Sequence, residues 1–318
     1  MKILIVCPEL SALESGLSTT ARRWRLIMNE LGHEVQVISP NEEAQDVDLF
    51  IVLNPIRSMD FLRKTSRILC RRVICFTGTD INEHMKQNMQ SFDAVSSADI
   101  LIGLHPGIAS LLPESQLDKL RIILQSAPHC EARRPTSKPN GTAVFVANVR
   151  DVKCPMTVYL ASAAINPRVN VTITHIGEIV DPAYHFWPQI NCVAPSPRFR
   201  WLGAKPLAET VSLISESDLL IIASRSEGGS NVISEAATLR IPILASMNEC
   251  AEALLGNDYH GYFPVGNHWR LAKLIDKFYL NKSFRELLQS QIDEIRWKFS
   301  YEREVSEWRE VLAAIKLL

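Results

Sequence analysis

The sequence predicts an α/β protein built from two parallel-sheet domains in tandem, and three observations carry that prediction. The chain has 318 residues, about twice the usual domain length of roughly 150. Short apolar runs alternate with polar, helix-compatible stretches, first between Ile3 and Leu124 and again between Thr142 and Ser246. Between the two series, Pro128 to Gly141 carries three prolines and no apolar periodicity, the composition of a linker. The expected division is a first domain over 1–128, a linker over 129–141, a second domain over 142–296 and a terminal segment over 297–318.

Ile3 to Cys7 opens the first series as a buried strand. Pro8-Glu9 interrupts it before an apolar region long enough for a signal sequence can form. Ser18 to Leu31 places Trp24, Ile27, Met28 and Leu31 at the spacing of one helical face and closes with Gly32 as a C-terminal cap. Glu34 to Ile38, Leu49 to Leu53, Val73 to Phe76, Ile100 to Leu104 and Ile122 to Leu124 complete the first set of strands. The second set is Thr142 to Ala147, Asn170 to His175, Arg198 to Leu202, Leu219 to Ala223 and Ile243 to Ser246. From Trp269 onward the pattern is helical, ending in an amphipathic segment with Phe299, Val305, Trp308 and Leu312.

Composition removes several function classes. Lys+Arg 34 against Asp+Glu 35 leaves a formal charge of -1, so no global field recruits nucleic acid or anionic lipid, and any anion site is local. No apolar run approaches the roughly 20 residues that span a bilayer. The basic cluster Arg22-Arg23-Trp24-Arg25 suits a membrane-surface helix, but Trp24 belongs to the apolar face that the first domain needs for packing. The seven cysteines are scattered without a C-x-x-C pair, as expected of reduced thiols in a cytoplasmic protein. Metal-ligand spacing is absent: His84, His105, His129, His175, His185, His260 and His268 do not pair at helical spacing with each other or with a cysteine, and adjacent His129-Cys130 is no ligand set. The first loop lacks G-x-G-x-x-G, which disfavours dinucleotide oxidoreduction.

Tandem α/β domains leave a cleft at the carboxyl ends of their strands, so the strand-to-helix loops are where chemistry is expected. The loop Ser224-Arg-Ser-Glu227-Gly228-Gly229-Ser230-Asn231-Val232 follows a strand and opens a helix. Its glycines let backbone approach a ligand, Ser230 can cap the helix, and the first N–H groups suit a phosphate. Glu227 and Glu235 are separated by seven residues, one carboxylate at the loop and one along the helix. The alternative is an ordinary turn before a solvated helix. Arg150 and Lys153, just past the strand Thr142 to Ala147, can neutralise a diphosphate without a metal, or serve as plain surface charges.

The Glu-x7-Glu loop together with Arg150 and Lys153 resembles the donor site of retaining GT-B glycosyltransferases, which use nucleotide-diphosphate sugars. Longer stretches resemble the selenosugar synthases of selenoneine biosynthesis within that superfamily: Thr20-Ala21-Arg22-Arg23-Trp24, Thr77-Gly78-Thr79-Asp80, Gln125-Ser126-Ala127-Pro128, Arg200-Trp201-Leu202-Gly203, Glu227 to Val232, and Leu255 to Gly266. The chain departs from that pattern at Gly16-Leu17, Asn54, His105 and Cys154, mostly in the first domain.

The resemblance implies two Rossmann-like domains facing a cleft, with a C-terminal helix crossing back to the first. It implies transfer of a sugar, N-acetylglucosamine, from a UDP-sugar to selenophosphate, with a carbon–selenium bond formed at the anomeric centre and no metal required. Arg150, Lys153 and Glu227 are then the catalytic set, with Glu227 on sugar hydroxyls, Glu235 on the ribose, and Gly228, Gly229, Ser230, Asn231 and Val232 around the donor. Gly16, Thr20, Arg23, Arg57, Thr77, Gly78, Thr79 and Asp80 fall on the acceptor side. An anionic nucleophile needs positioning more than deprotonation, which suits Arg23 and Arg57. Arg23 reads equally as a helix-surface charge beside Arg22 and Arg25, and Asp80 as the N-cap of a helix from Ile81. Two alternatives stay open: the same donor with a thiophosphate or hydroxyl acceptor, and a nucleotide-sugar binder without turnover.

Overall fold

The computed structural model describes residues 1–10, 15–44, 46–78, 80–81, 95–127, 140–191 and 198–317. They form two compact units. Unit 1 comprises Met1–Ser126, Glu227–Gly229 and Tyr301–Leu318; unit 2 comprises Ala127–Ser226 and Ser230–Ser300. The linker expected over 129–141 lies almost entirely outside the described residues.

Unit 1 holds β1 (Lys2–Val6), α1 (Gly16–Glu30), β2 (Glu34–Ile38), β3 (Leu49–Leu53), α2 (Met59–Lys64), β4 (Arg71–Cys75), β5 (Ile100–Gly103), α3 (Glu114–Leu117) and β6 (Leu120–Ile122). Its sheet has six parallel strands in the order β2-β1-β3-β4-β5-β6. The strands read as continuous apolar runs because both faces are covered. Ile3, Ile5, Leu49, Ile51 and Leu53 face one core cluster, and Leu4, Val6, Phe50 and Val52 face the other, as the two-residue period of a strand requires. Ser15 caps α1 by accepting from Ser18 N at 3.1 Å. Gly32, with φ +83°, ends that turn in a left-handed conformation that glycine adopts without a Cβ penalty.

Unit 2 repeats the plan with β7 (Gly141–Val146), α4 (Pro155–Ala164), β8 (Val171–Ile176), β9 (Phe199–Trp201), α5 (Leu207–Ser215), β10 (Leu219–Ile222), α6 (Asn231–Thr238), β11 (Ile243–Ser246), α7 (Glu249–Leu255) and β12 (Tyr262–Phe263), followed by α8 (His268–Leu280) and α9 (Lys282–Ile295). Its sheet is also parallel and six-stranded, in the order β12-β11-β10-β7-β8-β9. Buried His175 on β8 sits among Phe145, Trp187 and Phe199. One ring nitrogen contacts Ala147 O at 2.9 Å and the other accepts from Trp187 Nε1 at 3.2 Å. Burial holds its pKa down at about 4, so the ring packs as the neutral form.

The last helix, α10 (Tyr301–Leu317), returns to unit 1. Val305, Trp308, Val311, Leu312 and Ile315 join the core face lined by α1, and Trp24 meets Trp308 edge-on with ring centroids 4.6 Å apart. Such a pair adds about 0.5–1.5 kcal/mol beyond its area burial.

Candidate functional site

In unit 2 the strand order reverses between β7 and β10, the two strands paired at the centre of the sheet. Open α/β sheets bind ligands beyond the carboxyl ends of the strands at such a switch point. The loop after β7 carries Arg150 and Lys153, and the loop after β10 leads into α6 with Ser230, Asn231, Val232 and Glu235. The structure therefore brings these six residues to one end of one sheet.

Arg225 fixes the two loops to each other, and the Ser224 carbonyl ties the second to the end of β11. Arg225 N donates to Val152 O at 2.8 Å, and Arg225 Nη1 pairs with Asp151 Oδ2 at 2.9 Å. The Ser224 carbonyl accepts from Ser246 Oγ and from Asn248 Nδ2. Asp151–Lys153 forms a single 3₁₀ turn that ends at Cys154 in a left-handed conformation, φ 47°.

Arg150 is half-buried. Its Nε has no contact with solvent and no hydrogen-bond partner among the described residues. A buried donor left unmade costs about 1–3 kcal/mol, more when it is charged. Ser230 occupies the N-cap of α6, but its hydroxyl makes no capping bond, contrary to the sequence expectation. The first-turn amides of a helix, carrying the positive end of its dipole, are where an anion is held. Glu235 is buried one turn into α6, so it is no solvated helix residue.

The segment Glu227–Gly229 groups with unit 1. There the glycines have a packing reason that the sequence did not show. A Cβ on Gly228 would collide with the backbone of Gly78, and one on Gly229 with the Leu104 side chain. The absent side chains are thus required by the protein's own close approach, whatever else the loop meets.

The acceptor-side candidates also lie in unit 1, whose switch point falls between β1 and β3. Arg57, after β3, pairs with Glu9, after β1. Asn54, a non-glycine residue at φ 51°, accepts from Arg57 N at 3.1 Å and donates to Thr77 Oγ1 at 3.0 Å. Fully buried Asp80 accepts from Thr77 N at 2.9 Å, Gly78 N at 2.7 Å and Ile81 N at 3.0 Å. Burial pushes its carboxyl up to about 6 against the pull of those amides. Its bonds gather the amides of Thr77, Gly78 and Ile81 in the manner of a cap, and Thr79 lies outside the described residues.

Gly16 begins α1 and Thr20 sits one turn on, donating to Gly16 O at 2.8 Å. Arg23 is neither a helix-surface charge nor turned wholly to a ligand: its Nε pairs with Glu304 at 2.9 Å, and only 10% of the side chain is exposed. Glu304, buried on α10, also accepts from Trp24 Nε1 and Ser126 N, both at 2.8 Å. Sequence reading missed Glu304, and no local pattern marks it, since its partners are remote in the chain. Among the described residues no three His, Cys, Asp or Glu side chains form a group that could hold a metal ion, and no helix is long and apolar enough to cross a membrane.

Comparison with solved structures places this architecture. The chain is similar to the Anabaena protein Alr3699/HepE in complex with UDP and glucose, at 14% identity and a TM-score of 0.78 over 99% of this chain and 100% of that one. Sucrose-phosphate synthase from Thermosynechococcus elongatus gives 12% identity and a TM-score of 0.78 over the same shares. A glycosyltransferase from Rickettsia africae gives 15% identity and a TM-score of 0.76 over 99% and 98%. The fold class is that of the GT-B glycosyltransferases. No curated protein matches the chain in sequence. Residues 135–295, half of the chain, match the family model of glycosyl transferases group 1, and the chain belongs to that family.

Proposed function

We propose that this glycosyltransferase takes N-acetylglucosamine from its UDP-sugar and transfers it to selenophosphate. In that reaction the anomeric C–O bond to UDP breaks, a C–Se bond forms, and UDP leaves with the bonding electron pair. The single observation that carries the donor half is Arg150 at the β7/β10 switch point, whose buried Nε has no hydrogen-bond partner among the described residues. A diphosphate supplies the missing acceptor. Lys153 and the first turn of α6 add positive charge where negative charge develops on the leaving group, so the reading requires no divalent metal. Glu227 is assigned to sugar hydroxyls and Glu235 to the ribose.

The choice of UDP is supported by the HepE complexes with UDP and with UDP-glucose. The choice of selenophosphate is supported by the stretches Thr20 to Trp24, Thr77 to Asp80, Gln125 to Pro128 and Leu255 to Gly266, which resemble selenosugar synthases. Selenophosphate is anionic and already nucleophilic, so the acceptor side has to orient it rather than remove a proton. Arg57, 47% exposed beside Glu9, is the cation assigned to that pull, and Gly16, Thr20, Arg23, Thr77, Gly78, Thr79 and Asp80 are assigned to the acceptor as well.

Calorimetric titration with UDP tests the donor half. The reading expects binding that Arg150→Ala weakens by about 2–4 kcal/mol. Absence of UDP binding by the wild-type protein would overturn it.

A further inference from the structure

We propose that Glu9 is a specificity residue of the acceptor side, a built-in carboxylate that occupies Arg57 and yields it to an acceptor of higher negative charge. The inference rests on the reading above that Arg57 pulls on the acceptor.

β1 and β3 are neighbours in the sheet of unit 1, and its strand order reverses between them. Glu9 follows β1 and Arg57 follows β3, so their side chains meet beyond the carboxyl ends of the two strands, where open α/β sheets take ligands. The cation at this switch point is not bare, because Nη1 of Arg57 already holds Oε1 of Glu9. A carboxylate of the same unit thus stands where an incoming anion would stand.

Three features suit the pair to exchange. Arg57 is 47% and Glu9 27% exposed, and water weakens an ion pair of that exposure, so another anion reaches the guanidinium without opening the core. The backbone of Arg57 stays in place when the side chain changes partner, since its N–H donates to Oδ1 of buried Asn54 at 3.1 Å. The thiol of buried Cys7, just past β1, senses Glu9, Arg57 and Arg22 together, which puts a second cation in the same neighbourhood. Of these three groups two are cations, so Glu9 cancels half of the positive charge that a ligand meets.

Specificity follows from the competition. A neutral acceptor offers Arg57 nothing in place of Glu9, and a singly charged one offers an equal exchange. A doubly charged oxyanion of the phosphate type offers more charge and a bidentate contact to the planar guanidinium. The internal carboxylate is then a repulsive element that excludes weaker acceptors while lowering affinity for the right one.

Glu9→Gln keeps the shape of the side chain and removes its charge. It should lower the KM for selenophosphate at least threefold and leave the KM for UDP-N-acetylglucosamine within twofold. It should also tighten binding of inorganic phosphate at least threefold, followed at the Arg57 Nε–H resonance with UDP present and without turnover. A purely structural Glu9 gives the opposite sign, since loss of its pair with Arg57 then weakens the site. Unchanged or weaker anion binding by Glu9→Gln overturns the assignment, as does a gain that survives when Arg57→Ala is added. Wild-type protein that turns over no selenophosphate contradicts the acceptor reading itself, and the phosphate titration still decides whether Glu9 competes for Arg57.

Discussion

Arg225 and Asp151 form an ion pair of 2.9 Å across the two loops at the β7/β10 switch point, and the carboxylate nearest to Arg150 in sequence is thereby engaged elsewhere. Among the described residues, the buried Nε of Arg150 has no hydrogen-bond partner. The pair itself is more than half exposed on both sides, so its own stability contribution is small. Arg225→Ala should change the melting temperature little and weaken UDP binding less than Arg150→Ala does. Calorimetry on the two variants checks the order, and a larger effect from Arg225 would place the anion on that side chain instead.

Breaking the Glu304 cluster has a different signature. Its carboxylate is fully buried, and removing it strands Arg23, Trp24 and Ser126. Glu304→Ala should cost about 3–5 kcal/mol of stability, as loss of one partner of a buried pair does. Chemical denaturation reads that cost. A loss below about 1 kcal/mol would show that the cluster is wet or already loose.

Gly228→Ala puts a methyl into the Gly78 backbone. Overpacking of this kind costs about 1–3 kcal/mol. The displaced Glu227 should lower the transfer rate more than it lowers UDP affinity. Full activity in the alanine variant would mean that the loop does not rest against Gly78 during turnover.

His175 makes stability depend on pH. Its folded pKa of about 4 lies below the ordinary value of 6.5, so the unfolded chain binds the proton first. Its contribution is intact above about pH 6.5 and is lost as pH falls toward 4, by up to about 3 kcal/mol. Asp80 and Glu307, raised by burial to about 6 and about 7, act in the opposite sense over an overlapping range. The His175 term is therefore read as the difference between wild type and His175→Gln, which keeps a donor and an acceptor without titrating in this range. A difference that stays constant between pH 6.5 and 4 contradicts the buried neutral ring.

Arg57→Ala should raise the acceptor requirement while leaving UDP affinity within about twofold, because Arg57 and the β7/β10 loops belong to separate sheets. Equal loss of both would show that its bond to Glu9 supports the fold rather than the acceptor.

Much of the fold is legible in the sequence because parallel strands buried on both faces are written as unbroken apolar runs. Leu49 to Leu53 and Ile243 to Ser246 appear with the expected ends. The strand expected from Val73 begins two residues earlier at Arg71, where two half-buried arginines carry no apolar signal. Two-residue β12 is too short for any period and was not expected. At the site, Arg150, Lys153 and the α6 start are local features of strand-to-helix loops and could be found one by one. Two things could not. Gly228 and Gly229 read as glycines for a ligand, whereas Gly78 and Leu104 occupy that space. Arg23 reads as a free cation because Glu304 lies in the last helix, and only the return of α10 to unit 1 supplies the partner.

Incubation of the purified protein with UDP-N-acetylglucosamine and selenophosphate, following UDP release and product mass together, tests the central claim most directly. The account predicts a selenium-containing sugar whose amount matches the UDP released. UDP released only with thiophosphate or a hydroxyl acceptor, or UDP bound tightly with no release at all, would contradict it.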